Sequence, residues 1–461
     1  MGLVADLAEI VGDAHASAAE SILQIHSGDQ SSHERRLPDA VVWPANTAEV
    51  SAVAKYASAN RIPLVGWGAG SSLEGNSNPV HGGIVIDFGR MNQIVEVHEN
   101  DFQVTVQPGI FYKDMNQLLA RQGLFFAPDP GANASIGGMI ANNASGTRTV
   151  KYGATRDNVL ALEVVLASGE VIRTGSRSLK QSAGYDLTHL FTGSEGTLGL
   201  ITEATLILAP LPEHFSAVVA TFDDTPSAAE AVFGIKGSGI SPAALELLDA
   251  ESIRFMNMRV TDLPEMPTLL MEFHGASEVA IKAELELVKE ICEDCGCTRF
   301  EAGVGRESRD RLWEGRHALG EILFSVYPDS HYLITDVSVP ISAYPELAAY
   351  ANSLYGEMGV HGTLFGHAGD GNLHTVNFAP LDDDDQWAVL HDFNDRVVQK
   401  AIELDGTCTG EHGVGIGKQK YMVYEHGEGA IEVMKQVKTL FDPLNILNPG
   451  KVVGIKGKGK R

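Results

Sequence analysis

Basic residues, cysteines, long apolar runs and low-complexity tracts are all scarce in this chain of 461 residues. Only 34 Lys and Arg face 60 Asp and Glu, a formal charge of −26 at pH 7. Phosphate backbones need clustered cations, so the deficit argues against nucleic acid as a partner. It argues equally against an anionic membrane surface as the main partner. The exception is a short tail, Lys456, Lys458, Lys460 and Arg461, which reads as a solvated chain end. Three of the four cysteines, Cys292, Cys295 and Cys297, crowd into "CEDCGC", and Cys408 stands apart. The triplet looks like a ligand cluster, but it follows the helical run "VAIKAELELVKEI" and precedes the strand-like "TRFEAG". It is therefore read as a helix end rather than a metal or redox centre. No stretch approaches the roughly 18 uninterrupted apolar residues of a membrane helix. The start, "MGLVADLAEIVGDAHA", is acidic and lacks a basic region followed by an apolar core, so it does not read as a secretory signal. Asp6 breaks a myristoylation pattern at Gly2. The expected location is the cytoplasm.

The length points to two or three domains. Asn46 with Glu49 forms a capping pair that opens the helix "TAEVSAVAKYASAN". "IPLVGWG" and "GGIVIDFG" read as strands. "QIVEVH" and "QVTVQPG" alternate with period two around Asn100 and Asp101, a hairpin signal. "YKDMNQLLARQG" reads as a helix stopped by Gly123, and "VLALEVVLASGEVIRTG" as a hairpin turning at Ser168 and Gly169. Pro210 and Pro212 mark a domain boundary after the strand "GTLGLITEATLILAPLP". Strands and helices then alternate through "FSAVVATF", "SAAEAVFGIK", "TLLMEFHG" and a long helix near 278–294. The pattern predicts an α+β sandwich before a mixed C-terminal segment.

What is abundant is glycine, 49 residues of it, suited to tight turns and close backbone approach. In "PLVGWGAGSSLEGNSN" a dinucleotide fingerprint wants Gly where Ser71 stands, and a P-loop wants Lys where Asn76 stands. Both also need a helix next, whereas the strand "IVIDF" follows. The segment is a loop between strands whose amides could form an anion nest; the plain alternative is a long turn. "PDPGANASIGGMIANNASGTRTVKYGATRDN" is too long for a turn and too poor in large side chains for a core. It suits backbone wrapped around a large flat ligand. "GSEGTLGLIT" has the same character.

The order of these three segments resembles the FAD-binding oxidoreductases of the vanillyl-alcohol-oxidase superfamily, from about Pro38 to Lys451. "FGHAGDGNLH", "GEHGVGIGK" and "NILNPGK" are similar to its D-2-hydroxyacid dehydrogenase branch, and "TDVSVPISAYPEL" to the cytochrome-linked D-lactate dehydrogenases. The resemblance implies an α+β fold: a two-part FAD-binding domain of PCMH type, then a ferredoxin-like α+β substrate or cap domain, then a C-terminal segment returning to the flavin. The expected divisions are an N-terminal helical segment at 1–35, the FAD-binding domain at 36–212, the substrate and metal domain at 213–451 and the basic tail at 452–461. It implies non-covalent FAD, with the pyrophosphate on the first loop at Gly66, Gly68, Ala69, Gly70, Ser71 and Ser72. Pro128, Asp129, Ser135, Gly138, Asn142, Ser145, Gly146, Glu195, Gly196 and Ile201 are expected around the isoalloxazine and ribityl chain, with Asn448 as a further contact.

"GHAGDGNLH" places His367 and His374 around three glycines, which disfavour a helix there. "GTLFGH" and "HTVNFA" read as strands. A six-residue connection, Ala368 to Leu373, would make the histidines direct cross-strand partners, with Cβ atoms roughly 5 Å apart. With Glu411 of "GEHG" they form a two-histidine, one-carboxylate set that leaves coordination positions open. Such donors suit Zn, Mn or Fe, and the resemblance implies the same triad. The plain alternative is two hairpin histidines and a surface glutamate. A hydroxyacid could chelate such a cation while hydride leaves for flavin N5. His412 is the candidate general base and Arg316 the candidate partner of the substrate carboxylate; Arg309 and Arg311 read as solvated. Arg316 rests mostly on the resemblance. Dicarboxylate-specific relatives carry lysine where Ile334 stands, so a small or apolar substrate tail is expected.

The resulting expectation is oxidation of a D-2-hydroxyacid, foremost D-lactate to pyruvate. Electrons would pass to a cytochrome, a quinone or an electron-transfer flavoprotein, not to NAD. Alternatives are D-2-hydroxyglutarate or glycolate as substrate, a flavin transferase like alkyl-dihydroxyacetonephosphate synthase, and a non-catalytic flavin-binding subunit. A homodimer and a peripheral position at the inner membrane stay open.

Overall fold

The computed structural model describes residues 2–259, 262–304 and 306–454, without the side chains at 304, 306–309 and 324. Arg309 and the basic tail, Lys456, Lys458, Lys460 and Arg461, lie outside the described side chains and residues. Contacts divide the chain into two units. The first comprises residues 1–145, 153–211 and 411–461, and the second residues 146–152 and 212–410.

The first unit holds two main sheets. Leu64–Trp67, Ile84–Asp87 and Ala40–Val42 run parallel, and Ala16–Ser17 adds an antiparallel edge. The helix Thr47–Asn60 covers this sheet. It starts where expected, because the Asn46 side chain accepts the Glu49 amide at 3.0 Å. The other sheet has five antiparallel strands, ordered Ile94–His98, Gln103–Val106, Leu200–Ile207, Val159–Val165 and Val171–Gly175. Both predicted hairpins are present in it. The second turns through Gly169 at φ 79°, a conformation glycine adopts without strain. The helix Tyr112–Leu119 continues as a 3-10 turn and stops at Gly123, φ 72°. The C-terminal segment belongs to this unit: Leu64 and Leu447 form a parallel bridge beside the first sheet.

The second unit is built on one seven-stranded antiparallel sheet. Its strands are β1 (His214–Phe222), β2 (Ala244–Leu248), β3 (Thr268–Gly275), β4 (Cys297–Val304), β5 (Ser330–Ser338), β6 (Gly362–Gly366) and β7 (Asn372–Pro380), in the order β4-β1-β3-β2-β6-β7-β5. With α1 (Thr225–Gly237) after β1 and α2 (Glu278–Asp294) after β3, the first four strands have the ferredoxin-like order 4-1-3-2. The other three extend the sheet from β2. The cysteine triplet does end a helix: Cys292 is buried in the last turn of α2 and Cys295 caps it. One face of the sheet buries Leu248, Leu270, Val376 and Phe378 against Leu312, Trp313 and Leu319 of α3 (Arg306–Val326).

Candidate functional site

In the first unit the glycine-rich segments meet at the short helix Ile136–Asn142. Ser135 caps that helix through the Gly138 amide, 3.3 Å away. A Cβ on Gly68 would lie 2.1 Å from Ser135 Oγ, so any larger residue would push the capping side chain of Ser135 aside. The third segment docks on the other end of the helix: the Gly193 and Glu195 amides donate to Ile140 and Ala141 carbonyls at 2.9 and 2.8 Å. Gly196, φ 69°, has open space where a Cβ would stand. Ile201 is buried in the strand that follows. Asp129 is buried next to the half-exposed Pro130, and Asn142 is half-buried at the helix end.

Two of the expected FAD residues spend their side chains on protein. Glu195, buried and at φ 53°, accepts from Asn76 Nδ2 (2.8 Å) and from the Val414 and Gly415 amides (2.6 and 2.9 Å). Burial raises its carboxyl above the usual range, against the pull of these donors. Asn448 Nδ2 donates to the carbonyls of Asn76 and Glu195 at 2.8 and 2.7 Å. Its Oδ1 accepts from Lys451 Nζ at 3.1 Å, and burial brings that ammonium down to about 8. Together they knot the first loop, the third segment and the C-terminal segment.

The fold leaves polar backbone free for an anion. Among the described residues, the amides from Ala69 to Leu73 donate to no protein acceptor. This loop of Gly, Ala and Ser therefore suits a bound pyrophosphate. Glu411 and His412 lie in the same unit. Ser145 Oγ donates to Glu411 Oε2 at 3.1 Å, and His412 Nε2 is 3.4 Å from Glu411 Oε1. The other expected contact, Gly146, falls in the second unit, where its amide donates to Thr149 Oγ1.

In the second unit His367 and His374 come together, but not by the expected register. Phe365 opposes His374, and the Asn372 amide reaches the His367 carbonyl, so only residues 368–371 connect the strands. A 3-10 turn, Ala368–Asp370, closes on Gly371 at φ 72° and lets β7 begin at Asn372. The register differs from the expected one by two residues, which preserves the face. His367 and His374 therefore still point the same way, with ring centroids 5.4 Å apart and planes at 85°.

The same face carries a set of buried polar groups. By strand register Leu248, Phe365, His374 and Asp336 stand side by side, and Glu246 is two residues from Leu248 on β2. Glu246 Oε1 takes the His367 Nδ1 hydrogen bond at 2.7 Å. Glu246 Oε2 takes Arg316 Nε at 2.8 Å, with Arg316 Nη2 at 2.7 Å. Burial alone would raise the Glu246 carboxyl, but the adjoining His367 ring and the Arg316 guanidinium hold it below the usual range. The Arg316 guanidinium also lies over the Phe365 ring, 4.8 Å from its centre. Asp336 is buried and accepts from Asn372 Nδ2 (2.7 Å) and Thr409 Oγ1 (2.9 Å); its Oδ1 is 3.7 Å from His374 Nδ1. Arg311 is exposed, as expected.

The donor set fits a divalent cation. A histidine whose Nδ1–H is held by a carboxylate presents Nε2 as a ligand, the usual second partner of a metal-bound imidazole. Glu246 does this for His367. Sequence reading missed Glu246, yet a signal was present: one carboxylate inside the apolar run "AALELL" of a strand too buried to solvate it.

Residues 211–452 match the family "FAD linked oxidases, C-terminal domain", and residues 38–175 match "FAD binding domain". The chain is 41% identical to the probable mitochondrial D-lactate dehydrogenase of Danio rerio over 456 residues, covering 98% of this chain and 91% of that protein. It is 39% identical to the mitochondrial D-lactate dehydrogenase [cytochrome] of Arabidopsis thaliana, covering 93% and 76%. It is 38% identical to glycolate oxidase subunit GlcD of Bacillus subtilis, covering 93% and 92%. Among solved structures, 4-ethylphenol oxidase from Gulosibacter chungangensis superposes with TM-score 0.81 at 19% identity, covering 99% and 97%. An alkyldihydroxyacetonephosphate synthase superposes with TM-score 0.77 at 18% identity, covering 97% and 84%. At those identities the two structures share the fold, the two-part FAD-binding architecture of PCMH type.

Proposed function

The chain belongs to the FAD linked oxidases, and from that premise we propose that it oxidises a D-2-hydroxyacid, foremost D-lactate to pyruvate, for an acceptor other than NAD. The observation that carries this reading is one face of the second unit, where paired imidazoles lie beside a buried guanidinium. The names of the Danio rerio and Arabidopsis thaliana relatives support lactate, and the word cytochrome in the latter supports a one-electron protein acceptor.

FAD, when bound, supplies the acceptor for the hydride at C2 of the substrate. The Ala69 to Leu73 amides would hold its pyrophosphate. His367, His374 and Glu411 would hold a divalent cation, Zn or Mn before Fe, whose Lewis acidity favours loss of the hydroxyl proton. His412 accepts that proton at a ring nitrogen. Arg316 has five N–H donors, and those not aimed at Glu246 receive the substrate carboxylate. Ile334 and Phe365 both pack against the apolar cluster of the same face, which supports a substrate with a methyl tail rather than a second carboxylate.

Glycolate or D-2-hydroxyglutarate is the second reading, favoured by the likeness to glycolate oxidase subunit GlcD. The cytoplasm stays the proposed location, with peripheral attachment to a membrane as its variant. No described helix is long and apolar enough to cross a membrane. Steady-state assays with a dye acceptor separate the substrates: D-lactate should give the highest kcat/KM, above glycolate and far above D-2-hydroxyglutarate. In the same assay Arg316→Lys keeps a cation beside Glu246 but loses the planar fork. Losing one charge-assisted hydrogen bond is worth ~1.5–3 kcal/mol, so kcat/KM should fall roughly 10- to 150-fold. An unchanged value would remove Arg316 from the substrate site, and a preference for the dicarboxylate would overturn the lactate assignment.

A further inference from the structure

Glu246 is fully buried, and its neighbours along β2 are Ala244, Leu245, Leu247 and Leu248, all buried too. A carboxylate in such a strand is costly to desolvate unless its oxygens find charged or hydrogen-bonding partners. Both oxygens are used, and each by a different candidate site residue. Oε1 holds His367 Nδ1 at 2.7 Å and Oε2 holds Arg316 Nε at 2.8 Å.

We infer that Glu246 is a positioning residue that sets two parts of the site at once, the tautomer of His367 and the plane of Arg316. This rests on the reading of His367 as a metal ligand and Arg316 as the substrate anchor. A carboxylate accepts but does not donate, so it fixes the proton of His367 on Nδ1 and leaves the lone pair on Nε2. Without it the ring could turn or change tautomer and offer the wrong nitrogen. On the other oxygen, the Nε edge of the guanidinium is held against Oε2, and Phe365 supports its flat side at 4.8 Å. The remaining edge is then presented in a fixed direction. Register explains the double role: Leu247 pairs with Gly366, so Glu246 lies directly across from His367.

A second buried carboxylate on the same face provides the comparison. Glu272 stands opposite Ala244 and receives His274 Nε2 at 2.5 Å, while His274 Nδ1 meets the Tyr152 hydroxyl at 2.8 Å. It too is a buried glutamate paired with histidine, but neither partner is a proposed ligand.

The test is Zn²⁺ affinity of the purified FAD-loaded protein, read by competition with a chromophoric chelator, for wild type, Glu246→Gln and Glu272→Gln. Gln keeps the shape but removes the charge and turns an NH2 group on Arg316 or His367. Losing an outer partner of a metal-bound histidine typically weakens metal binding ~10- to 100-fold. Glu246→Gln should show that loss and Glu272→Gln should not. Saturating Zn²⁺ should then restore kcat in Glu246→Gln while KM for D-lactate stays raised, because Arg316 remains loose. Should Glu246→Gln not yield soluble protein, Glu246→Asp, which keeps the charge and withdraws it by one methylene, is judged by the same criterion. Equal Zn²⁺ affinity in wild type and the Glu246 variant overturns the inference, as do equal losses in the Glu246 and Glu272 variants. Wild-type protein that binds no Zn²⁺ overturns instead the metal reading on which it rests.

Discussion

His412→Asn is expected to slow reduction of the bound flavin by D-lactate by ~100- to 10,000-fold, the usual effect of losing a general base, while FAD stays bound. Asparagine keeps the size and polarity of the side chain but has no nitrogen able to accept a proton near neutral pH. The backbone at 412 also matters, since its carbonyl receives Asn76 Nδ2 at 3.3 Å within the knot around Glu195. A substitution that keeps the backbone in place leaves that contact intact, so FAD content serves as the control. Single-turnover reduction under anaerobic conditions isolates the step from product release and from the acceptor. Reduction at the wild-type rate would place the base elsewhere.

A strong chelator is expected to abolish turnover without stripping FAD, and a divalent ion to restore it. His374→Ala should reproduce the loss, because one of three proposed protein ligands is gone and the site is opened. Flavin absorbance separates this outcome from unfolding: the spectrum of bound FAD should survive both treatments. Metal analysis supplies the other half, with about one ion per chain in the wild type and little in the variant. Full activity in metal-free protein would reduce the paired histidines to a hairpin feature.

The parts of the fold visible in the sequence are those set by local patterns. Alternation gave the hairpins around Asn100 and Gly169, and the Asn46 cap gave the helix it opens. Small residues marked the segments that meet at the helix Ile136–Asn142. Tertiary pairing was harder to see. The turn between His367 and His374 came out two residues tighter than expected, because Gly371 admits a left-handed step that spacing alone does not reveal. The face of both side chains was nevertheless correct, since face depends only on parity. The partners of site residues lie far away in sequence: Glu246 is 121 positions from His367 and 70 from Arg316. No periodicity links such positions, and only the folded sheet brings them together. Glu195 and Asn448 show the reverse case. They fall in the expected glycine-rich and C-terminal motifs, but their side chains tie chain segments to one another.

One enantiomer of a small hydroxyacid is expected to deliver its C2 hydrogen to the flavin of this protein. In the proposed mechanism a cation, a guanidinium and a flavin would serve as three reference points around one carbon, and only one hand would satisfy all three. The direct measurement is rapid anaerobic mixing of the FAD- and metal-loaded protein with D-lactate and, separately, with L-lactate, following loss of oxidised-flavin absorbance. Fast bleaching with D-lactate and bleaching at least a hundredfold slower with L-lactate is the predicted result, a ratio that corresponds to ~2.7 kcal/mol between a fitted and a misplaced substrate. Equal rates with the two enantiomers, or no bleaching by D-lactate, would contradict it.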